Sequence, residues 1–431
     1  MSRQRPIALA ILFGAMATAR AESGPGVLET AAAPRAEAAA GIGRFTTVVH
    51  GWAFLTSNRQ GGRSGDQDFE SQNHVMIVSS RPVGSWTLTL LGTFTAEPMT
   101  VPRQGAPELF QRGETYKDVL LVDRQHAHDL FVELGTLWSR GFAKRSRFRL
   151  YLAPWGEPAV GPTVYVHRLS ASANPTAPLA HHNQDSTHIS ADVVTAALDM
   201  GPVSVEGSVF HGREPDENRW DIEQGSLDSY SGRIWIGPAR GLRLQVSAAR
   251  REHPEALEEG DQTRQTASIE YERTTTSGFV AAALISGRNL LEGGHEEWGN
   301  TLEATWKFAG KNTVYGRAEK VDRDLYELVN KSQRPETTPE RRTSVDALTL
   351  GYLRDLALLS EAETALGAGV TMYRFDDRLD PVYGNRPLSA QVFVRLRFGS
   401  KGAEHHHHAA LPGVPARGAA GIARPGGRPG V

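Results

Sequence analysis

The stretch Leu388–Phe398, LSAQVFVRLRF, alternates between two kinds of side chain along its length. The apolar set is Leu388, Ala390, Val392, Val394, Leu396 and Phe398. Of the residues between them, Ser389, Gln391, Arg395 and Arg397 are polar. Because successive side chains of a β-strand point to opposite faces, this pattern predicts a strand with one apolar and one polar face.

The same period of two recurs from Phe45 to Phe398, for example in SWTLTLLGTFT at 85–95. We find sixteen such segments, and all of them are predicted strands. They lie at about 45–57, 70–82, 85–97, 129–140, 146–153, 186–198, 202–211, 227–237, 241–252, 263–274, 277–288, 298–308, 312–323, 342–355, 361–375 and 387–398.

The connections between these segments alternate in length. Short turns follow the even-numbered segments and long polar loops follow the odd-numbered ones, the longest at 98–128 and 154–185. This asymmetry is typical of membrane β-barrels with an even number of strands. The sequence therefore predicts an all-β fold, a single closed antiparallel transmembrane β-barrel of about 16 strands, with short periplasmic turns and long external loops.

A second signal comes from the aromatic residues near the periplasmic ends of the predicted strands. They are Trp86, Trp138, Phe148, Trp235, Phe279, Trp306, Phe308 and Phe398. We interpret them as one of the two aromatic girdles that such barrels carry at the membrane interfaces. The alternative, an exported soluble β-sandwich or β-solenoid, explains neither this clustering nor the alternating loop lengths.

The composition and the two ends of the chain complete the domain prediction. The 431 residues include 47 basic and 49 acidic side chains spread along the chain, which does not indicate a nucleic-acid binder, and there is no cysteine. Residues 1–21 have two arginines, a short apolar run and an A-x-A site, which predicts a secretory signal peptide. An N-terminal membrane anchor would need a run of about 18 apolar residues.

The remaining boundaries follow changes in composition. Residues 22–43 are rich in Ala, Gly and Pro and predict a flexible periplasmic lead-in to the barrel, which we assign to 44–399. Residues 400–431 predict a disordered tail rich in Gly, Pro and Ala that contains His405–His408.

The region 45–398 resembles a sixteen-stranded Gram-negative outer-membrane porin. Its last strand, SAQVFVRLRF, is similar to the terminal assembly signal of that superfamily, which closes on Phe. The chain departs from that pattern because residues 399–431 follow Phe398. The loop sequences DRQHAHD, HHNQDSTH and HGREPDENRWD also resemble a group of uncharacterised bacterial barrels, a resemblance that implies no function.

The porin resemblance implies a location and a set of partners. The location is the outer membrane of a Gram-negative bacterium. The partners are outer-membrane lipid, the barrel-assembly machinery, a small polar solute and, in a homotrimer, two further copies of the chain.

Charged residues on the polar faces of the strands are predicted to line the lumen. They are Arg147, Arg149, Arg243, Arg317, Arg395, Arg397, Glu133, Glu206, Glu270, Glu303 and Glu319. Such mixed charges either create a transverse field for polar solutes or pair into a network that fills the bore. The sequence leaves both alternatives open.

Histidines concentrate in two of the long loops, and we expect no cofactor unless these residues hold a divalent transition metal. The candidate ligands are His126, His128, Asp129, His181, Asp185 and His188. Imidazole and carboxylate groups suit zinc, copper or nickel. The alternative is that these residues make only hydrogen bonds within the loops.

Ser186 and His188 could also form a nucleophile and base, as in a hydrolase. No G-x-S-x-G nucleophile elbow accompanies them. We therefore predict a non-enzymatic, porin-like channel for small polar solutes or ions, with loops 98–128 and 154–185 folding into the lumen. The alternative function is a barrel with a metal-binding or hydrolytic histidine-rich site at the external rim.

Overall fold

The computed structural model describes residues 44–256, 260–292, 294–329, 342–360 and 362–399. The predicted signal peptide, the lead-in up to residue 43 and the tail 400–431 lie outside the described residues. The strands are β1 (Thr46–Arg59), β2 (Gln67–Glu70), β3 (Asn73–Val83), β4 (Trp86–Phe94), β5 (Ala106–Tyr116), β6 (Val119–Gln125), β7 (Phe131–Ala143), β8 (Ser146–Gly156), β9 (Ser190–Met200), β10 (Val203–His211), β11 (Ser229–Ala239), β12 (Leu242–Arg251), β13 (Gln262–Thr275), β14 (Gly278–Leu291), β15 (Glu296–Phe308), β16 (Asn312–Asp324), β17 (Arg342–Leu356), β18 (Ala362–Arg374) and β19 (Leu388–Gly399).

Sixteen wall strands close into one antiparallel barrel. The closing pair joins β19 to β1, in a register that runs from His50 opposite Gly399 to Arg59 opposite Ala390. We count β2 and β3 as one interrupted wall strand, because both pair with β1 along different parts of its length. Closure leaves the described wall without an unpaired strand edge, which is the condition for a sheet to span a bilayer. The predicted all-β barrel is therefore confirmed.

The wall has an apolar outside and a polar inside. On β15, Leu302 and Trp306 are 56% and 51% exposed, whereas Thr301, Glu303 and Thr305 on the opposite face are almost fully buried. The burial of side chains alternates in this way along most of the wall. Large exposed apolar side chains in every second position fit contact with hydrocarbon rather than with water.

The predicted aromatic girdle is wrong for one residue, Trp235. Trp235 is 3% exposed, and the guanidinium groups of Arg233 and Arg243 lie 5.7 and 5.4 Å from its ring centroid. It therefore points into the barrel, on the same face of β11 as Arg233. Trp306, by contrast, lies on the outer face and packs against Phe308 with 4.7 Å between ring centroids.

Among the residues that the structure describes, helices are few and short. The α-helical turns are Glu97–Thr100, His181–Gln184, Leu325–Leu328 and Asp380–Tyr383, and the 3-10 turns are Ser186–His188 and Asp377–Leu379. Within the described ranges, none of these helices has the length and apolarity to cross a membrane. The predicted strand at 186–198 begins later than expected, because the 3-10 turn occupies its first residues and β9 starts at Ser190.

The loop 95–130, between β4 and β7, contains a hairpin of β5 and β6 that the sequence pattern did not predict. The hairpin contacts the inner wall: Asn58 Nδ2 donates to the Pro107 carbonyl at 2.7 Å. Arg323 Nε of β16 donates to the Phe110 carbonyl at 2.9 Å. The Phe110 ring is fully buried, 4.2 Å from the ring centroid of Tyr383. These contacts place the hairpin inside the barrel.

The loop 157–189, between β8 and β9, follows the inner wall over most of the circumference. Ala159 N donates to Ser208 Oγ of β10 at 2.7 Å, and Gly161 N donates to Ser247 Oγ of β12 at 2.9 Å. Further along, Thr305 Oγ1 of β15 donates to the Ser170 carbonyl at 2.7 Å. The loop therefore also lies in the lumen, where it packs beside the hairpin.

Candidate functional site

The lumen carries a dense network of paired charges. Arg149 Nη2 lies 2.8 Å from Asp199 Oδ1 and 2.9 Å from Glu206 Oε1. Arg147 Nε lies 2.7 Å from Asp199 Oδ2. Glu206 also accepts from Arg233 Nε at 2.7 Å. Every carboxylate in this group has a guanidinium partner, so the charges neutralise one another rather than face open solvent.

The loop 157–189 enters this network. Glu303 Oε1 accepts from Arg168 Nε at 2.6 Å and from Ser170 Oγ at 2.7 Å. Glu270 Oε2 lies 2.6 Å from Arg243 Nη2, and both its oxygens accept from Thr163.

The loop is fastened to two further strands. Arg317 Nε donates to Glu319 Oε2 at 2.9 Å, and its Nη2 donates to the Ala177 carbonyl at 2.6 Å. Arg395 Nη1 of β19 donates to the Ser172 carbonyl at 3.3 Å. The wall charges therefore hold the loop as well as one another.

Most of the predicted lumen residues are buried among polar partners. The eight buried ones are Arg149, Arg243, Arg317, Arg395, Glu206, Glu270, Glu303 and Glu319. Glu133, half-buried, accepts from the Tyr151 hydroxyl at 2.8 Å, and Arg147 and Arg397 are also half-buried.

Sequence reasoning missed Arg168, Arg233 and Arg264. The sequence could have placed Arg233 in the lumen, because it alternates with the outward-facing Ile234 and Ile236. Arg168 lies in an irregular loop, where no periodicity could reveal it.

Ser186 and His188 do not form the nucleophile and base of a hydrolase. The Ser186 hydroxyl donates to Glu214 Oε1 at 3.1 Å and accepts from Arg264 Nη1 at 2.9 Å. His188 Nδ1 lies 3.0 Å from the Asp185 carbonyl. Among the described residues no hydrogen bond joins the two side chains, so the pair lacks the geometry that such a reaction needs.

Three of the predicted metal ligands meet in one buried cluster. The cluster consists of His128 from loop 95–130 and of His181 and His188 from loop 157–189. Each offers one ligand atom, and these atoms lie within 4.8 Å of one another. The His188 ring centroid is 5.1 Å from that of His128 and 5.3 Å from that of His181. The three rings are at most 7% exposed, so the cluster lies beneath the loops and not at an exposed rim.

Local structure brings the two loop 157–189 histidines together. His181 begins a single helical turn that ends at Gln184, and Asp185 links this turn to the 3-10 turn that ends at His188. Two wall glycines allow the helical turn to approach the sheet. A Cβ added at Gly287 would lie 2.1 Å from the Asn183 carbonyl oxygen, and one at Gly299 would lie 2.9 Å from Ala180 Cβ.

Each histidine of the cluster is oriented by an acceptor at Nδ1. His128 Nδ1 lies 2.8 Å from Glu97 Oε2, and the same carboxylate oxygen accepts from the His128 backbone N–H. His181 Nδ1 lies 2.7 Å from Asp185 Oδ1. Glu97 is a functional candidate that sequence reasoning missed, because the contact joins residues 31 apart across an irregular loop.

The ionisation of the cluster follows from burial and neighbouring charge. Burial lowers the pKa of His188 well below its usual value, and charge on His128 or His181 would lower it further. Burial also acts to lower the pKa of His128, but the Glu97 carboxylate outweighs it and raises the pKa. Burial alone would raise the pKa of Asp185, but the His181 hydrogen bond and nearby Arg168 hold it at about 2. Asp185 is therefore ionised, and the His188 ring is neutral at pH 7.

The other predicted ligands lie outside the trio. Asp129 Oδ1 is engaged by Arg219 Nη1 at 3.1 Å. His126 Nδ1 lies 3.1 Å from the Ala127 carbonyl, and its ring is 5.8 Å from those of His128 and His182. Asp185 contributes as the acceptor for His181. A cavity of about 80 Å³ adjoins the cluster at His188, and its other lining residues include Glu133, Tyr151 and His167.

The comparisons with known proteins establish the fold. No protein-family model matches the chain, and no curated protein matches it. The structure is similar to that of an anion-selective porin from Comamonas acidovorans, with 11% sequence identity and a TM-score of 0.51, over 82% of this chain and 100% of that chain.

Two further solved structures resemble it. OmpT of Vibrio cholerae, an outer membrane protein, is 10% identical with a TM-score of 0.49, over 83% of this chain and 98% of that chain. OprB of Pseudomonas putida is 8% identical with a TM-score of 0.48, over 83% of this chain and 94% of that chain. The likeness to the Comamonas acidovorans porin shows the fold, a closed antiparallel β-barrel.

Proposed function

We propose that this protein is a non-enzymatic, porin-like channel of the outer membrane that conducts small polar solutes or ions. The observation that carries the proposal is the closed sixteen-stranded wall, apolar outside and charged inside, with loops 95–130 and 157–189 folded into its lumen. A barrel of this size without infolded loops encloses a wide aqueous bore. The loops therefore set the width of the passage.

The polar character of the lumen decides the class of solute. Its wall combines buried Arg and Glu side chains with hydroxyl and amide groups, for instance Gln245, Thr266 and Ser268. A passage between this polar wall and the infolded loops favours a small polar solute or an ion over an apolar one. The predicted partners remain outer-membrane lipid, the barrel-assembly machinery and, in a homotrimer, two further copies of the chain.

The test is single-channel conductance of the purified protein in planar lipid bilayers. We expect small, stable open steps for the wild type. Arg317→Ala should give larger steps, because the Arg317 side chain donates to the backbone carbonyls of Thr176 and Ala177 and so holds loop 157–189 against β16.

A matched control is available on the same strand. Lys320 also lies on β16, but its side chain is 64% exposed and its Nζ lies 4.0 Å from Asp346 Oδ1. Lys320→Ala should leave the step size unchanged. If neither the wild type nor Arg317→Ala conducted while both were folded, the channel proposal would be wrong.

A further inference from the structure

The histidine cluster has two nitrogen atoms that the protein itself does not satisfy. His128 Nε2 and His188 Nε2 are buried and have no hydrogen-bond partner. A buried polar atom without a partner costs free energy, and an unmodelled ligand is one explanation for such an atom. Both belong to the trio whose ligand atoms lie within 4.8 Å of one another.

The orientation of the rings indicates what that ligand is. A carboxylate or carbonyl oxygen only accepts hydrogen bonds, so the Nδ1 atoms of His128, His181 and His188 must carry the hydrogen in their contacts with Glu97 and Asp185. In a neutral imidazole the other nitrogen, Nε2, then carries a lone pair. Metal-bound histidines usually make this kind of contact, in which a carboxylate or carbonyl fixes the tautomer and the ring.

We infer that His128, His181 and His188 bind one divalent transition-metal ion of the zinc class through their Nε2 atoms. Glu97 and Asp185 act as positioning residues. A Zn–N bond of about 2.0–2.1 Å places tetrahedral ligand nitrogens about 3.3 Å apart, so the rings draw together on binding. The inference goes beyond conduction and does not depend on it.

Three protein ligands leave one coordination position for water or a solute. The cavity at His188 lies beside the cluster and has room for a water molecule. The ion would also join the two infolded loops, because His128 belongs to loop 95–130 and the other two ligands to loop 157–189.

A neighbouring group, His182, Glu214 and Glu255, is a weaker candidate. Glu214 Oε1 already accepts from Ser186 Oγ and lies 3.0 Å from Arg251 Nη2. A cation in that position would compete with a buried guanidinium, whereas no arginine is paired with the three ligand histidines in the described part of the chain.

The test uses the full-length chain with His405–His408 changed to Gln, because a histidine run in the tail would bind metal by itself. The refolded protein is stripped with a chelator and titrated with Co²⁺ and Zn²⁺. We expect about one metal ion per chain by elemental analysis, and the intense visible absorption bands of a tetrahedral Co²⁺ complex.

Variants assign the ligands. His128→Gln and His188→Gln should each lose the stoichiometric ion and the Co²⁺ bands. Glu97→Gln should keep the bands but bind about 10- to 100-fold more weakly, because it only orients a ligand. His126→Gln is the matched control: it is equally buried and adjacent, and it should bind metal as the wild type does.

Folding of every variant is checked by the heat-dependent mobility of barrels on electrophoresis gels. If a ligand variant fails to fold, the titration of the protein with intact ligands still decides the question. Less than stoichiometric binding by that protein, or unchanged binding by folded His128→Gln and His188→Gln, would overturn the inference.

Discussion

Arg168 joins the barrel wall to the histidine-bearing loop. Its guanidinium lies 2.6 Å from Glu303 Oε1 on β15 and 3.0 Å from Asp185 Oδ2, and all three side chains are at most 2% exposed. Removing the cation leaves two buried carboxylates without their partner. This is more costly than breaking an exposed ion pair, because neither carboxylate can regain its hydration.

We therefore expect Arg168→Ala to lower the free energy of unfolding by about 3–5 kcal/mol. The measurement is urea-induced unfolding in lipid vesicles, followed by tryptophan fluorescence. Arg213→Ala, at an exposed position of the next long loop, should change it by no more than about 0.5 kcal/mol. Equal effects of the two substitutions would contradict the role given to Arg168.

Glu108 makes the hairpin sensitive to pH. Burial raises the pKa of Glu108 to about 8, although Arg317 acts in the opposite direction; the carboxylates of Glu319 and Glu70 raise it further. The folded state keeps this proton up to about pH 8, whereas the group releases it near 4.5 when exposed. The docked hairpin therefore loses stability as the pH rises from about 4.5 to about 8.

The expected result is faster hydrogen exchange of backbone amides in β5 and β6 at pH 9 than at pH 6, after correction for intrinsic exchange rates. Glu108→Gln, which cannot ionise, should remove that difference. A pH dependence that is unchanged in Glu108→Gln would assign it to another group.

At the scale of secondary-structure elements, the helical turn His181–Gln184 depends on the close approach that Gly287 and Gly299 of the wall allow. A Cβ at Gly287 would lie 2.1 Å from the Asn183 carbonyl oxygen, which is well inside van der Waals contact. Gly287→Ala should therefore displace the turn from β14 and separate His181 from His188.

We expect Gly287→Ala to weaken Co²⁺ binding at least 10-fold while the barrel still folds, as measured by the same visible titration. Gly207→Ala is the control, because Gly207 lies on the outer face of β10 and an added Cβ would have its nearest contact at 3.8 Å. Unchanged binding in Gly287→Ala would mean that the turn does not need this close approach.

The strands could be predicted from the sequence because a period of two is a local property that each segment carries by itself. The two inner-loop elements could not. The hairpin of β5 and β6 has apolar residues such as Leu109 and Phe110 that pack on other loops and the inner wall, with no lipid face to impose alternation. The prediction for Trp235 was wrong because its position near a strand end suggested a girdle. It lies two residues from Arg233 on the same strand, so both side chains share the inward face.

The sequence predicted the three histidines of the cluster as candidate ligands, but not that these three lie together. Spacing alone suggested that His126 and His128 share an ion, but the structure pairs His128 with His181 and His188 instead. These contacts depend on how two loops fold against each other, which no short-range pattern encodes.

The whole barrel depends on hydrocarbon contact around its circumference. Leu302 lies at the middle of β15 and is 56% exposed. Leu302→Arg should lower the free energy of unfolding in lipid vesicles by about 2–4 kcal/mol, because it places a charge near the bilayer midplane.

The measurement is the same unfolding titration, with Leu358→Arg as the control. Leu358 is 68% exposed in the turn after β17, at the membrane edge, where a charge costs about 0–1 kcal/mol. If both variants were equally stable, the outer face of β15 would not be in contact with lipid.

The path of loop 157–189 also imposes an order on assembly. Ser172 receives its hydrogen bond from Arg395, which is 223 residues further along the chain on the last strand. That contact cannot form until β19 has been synthesised, exported and added to the wall. Contacts of such long sequence separation form slowly. Loop 157–189 therefore reaches its final place only after the last strand has joined the wall.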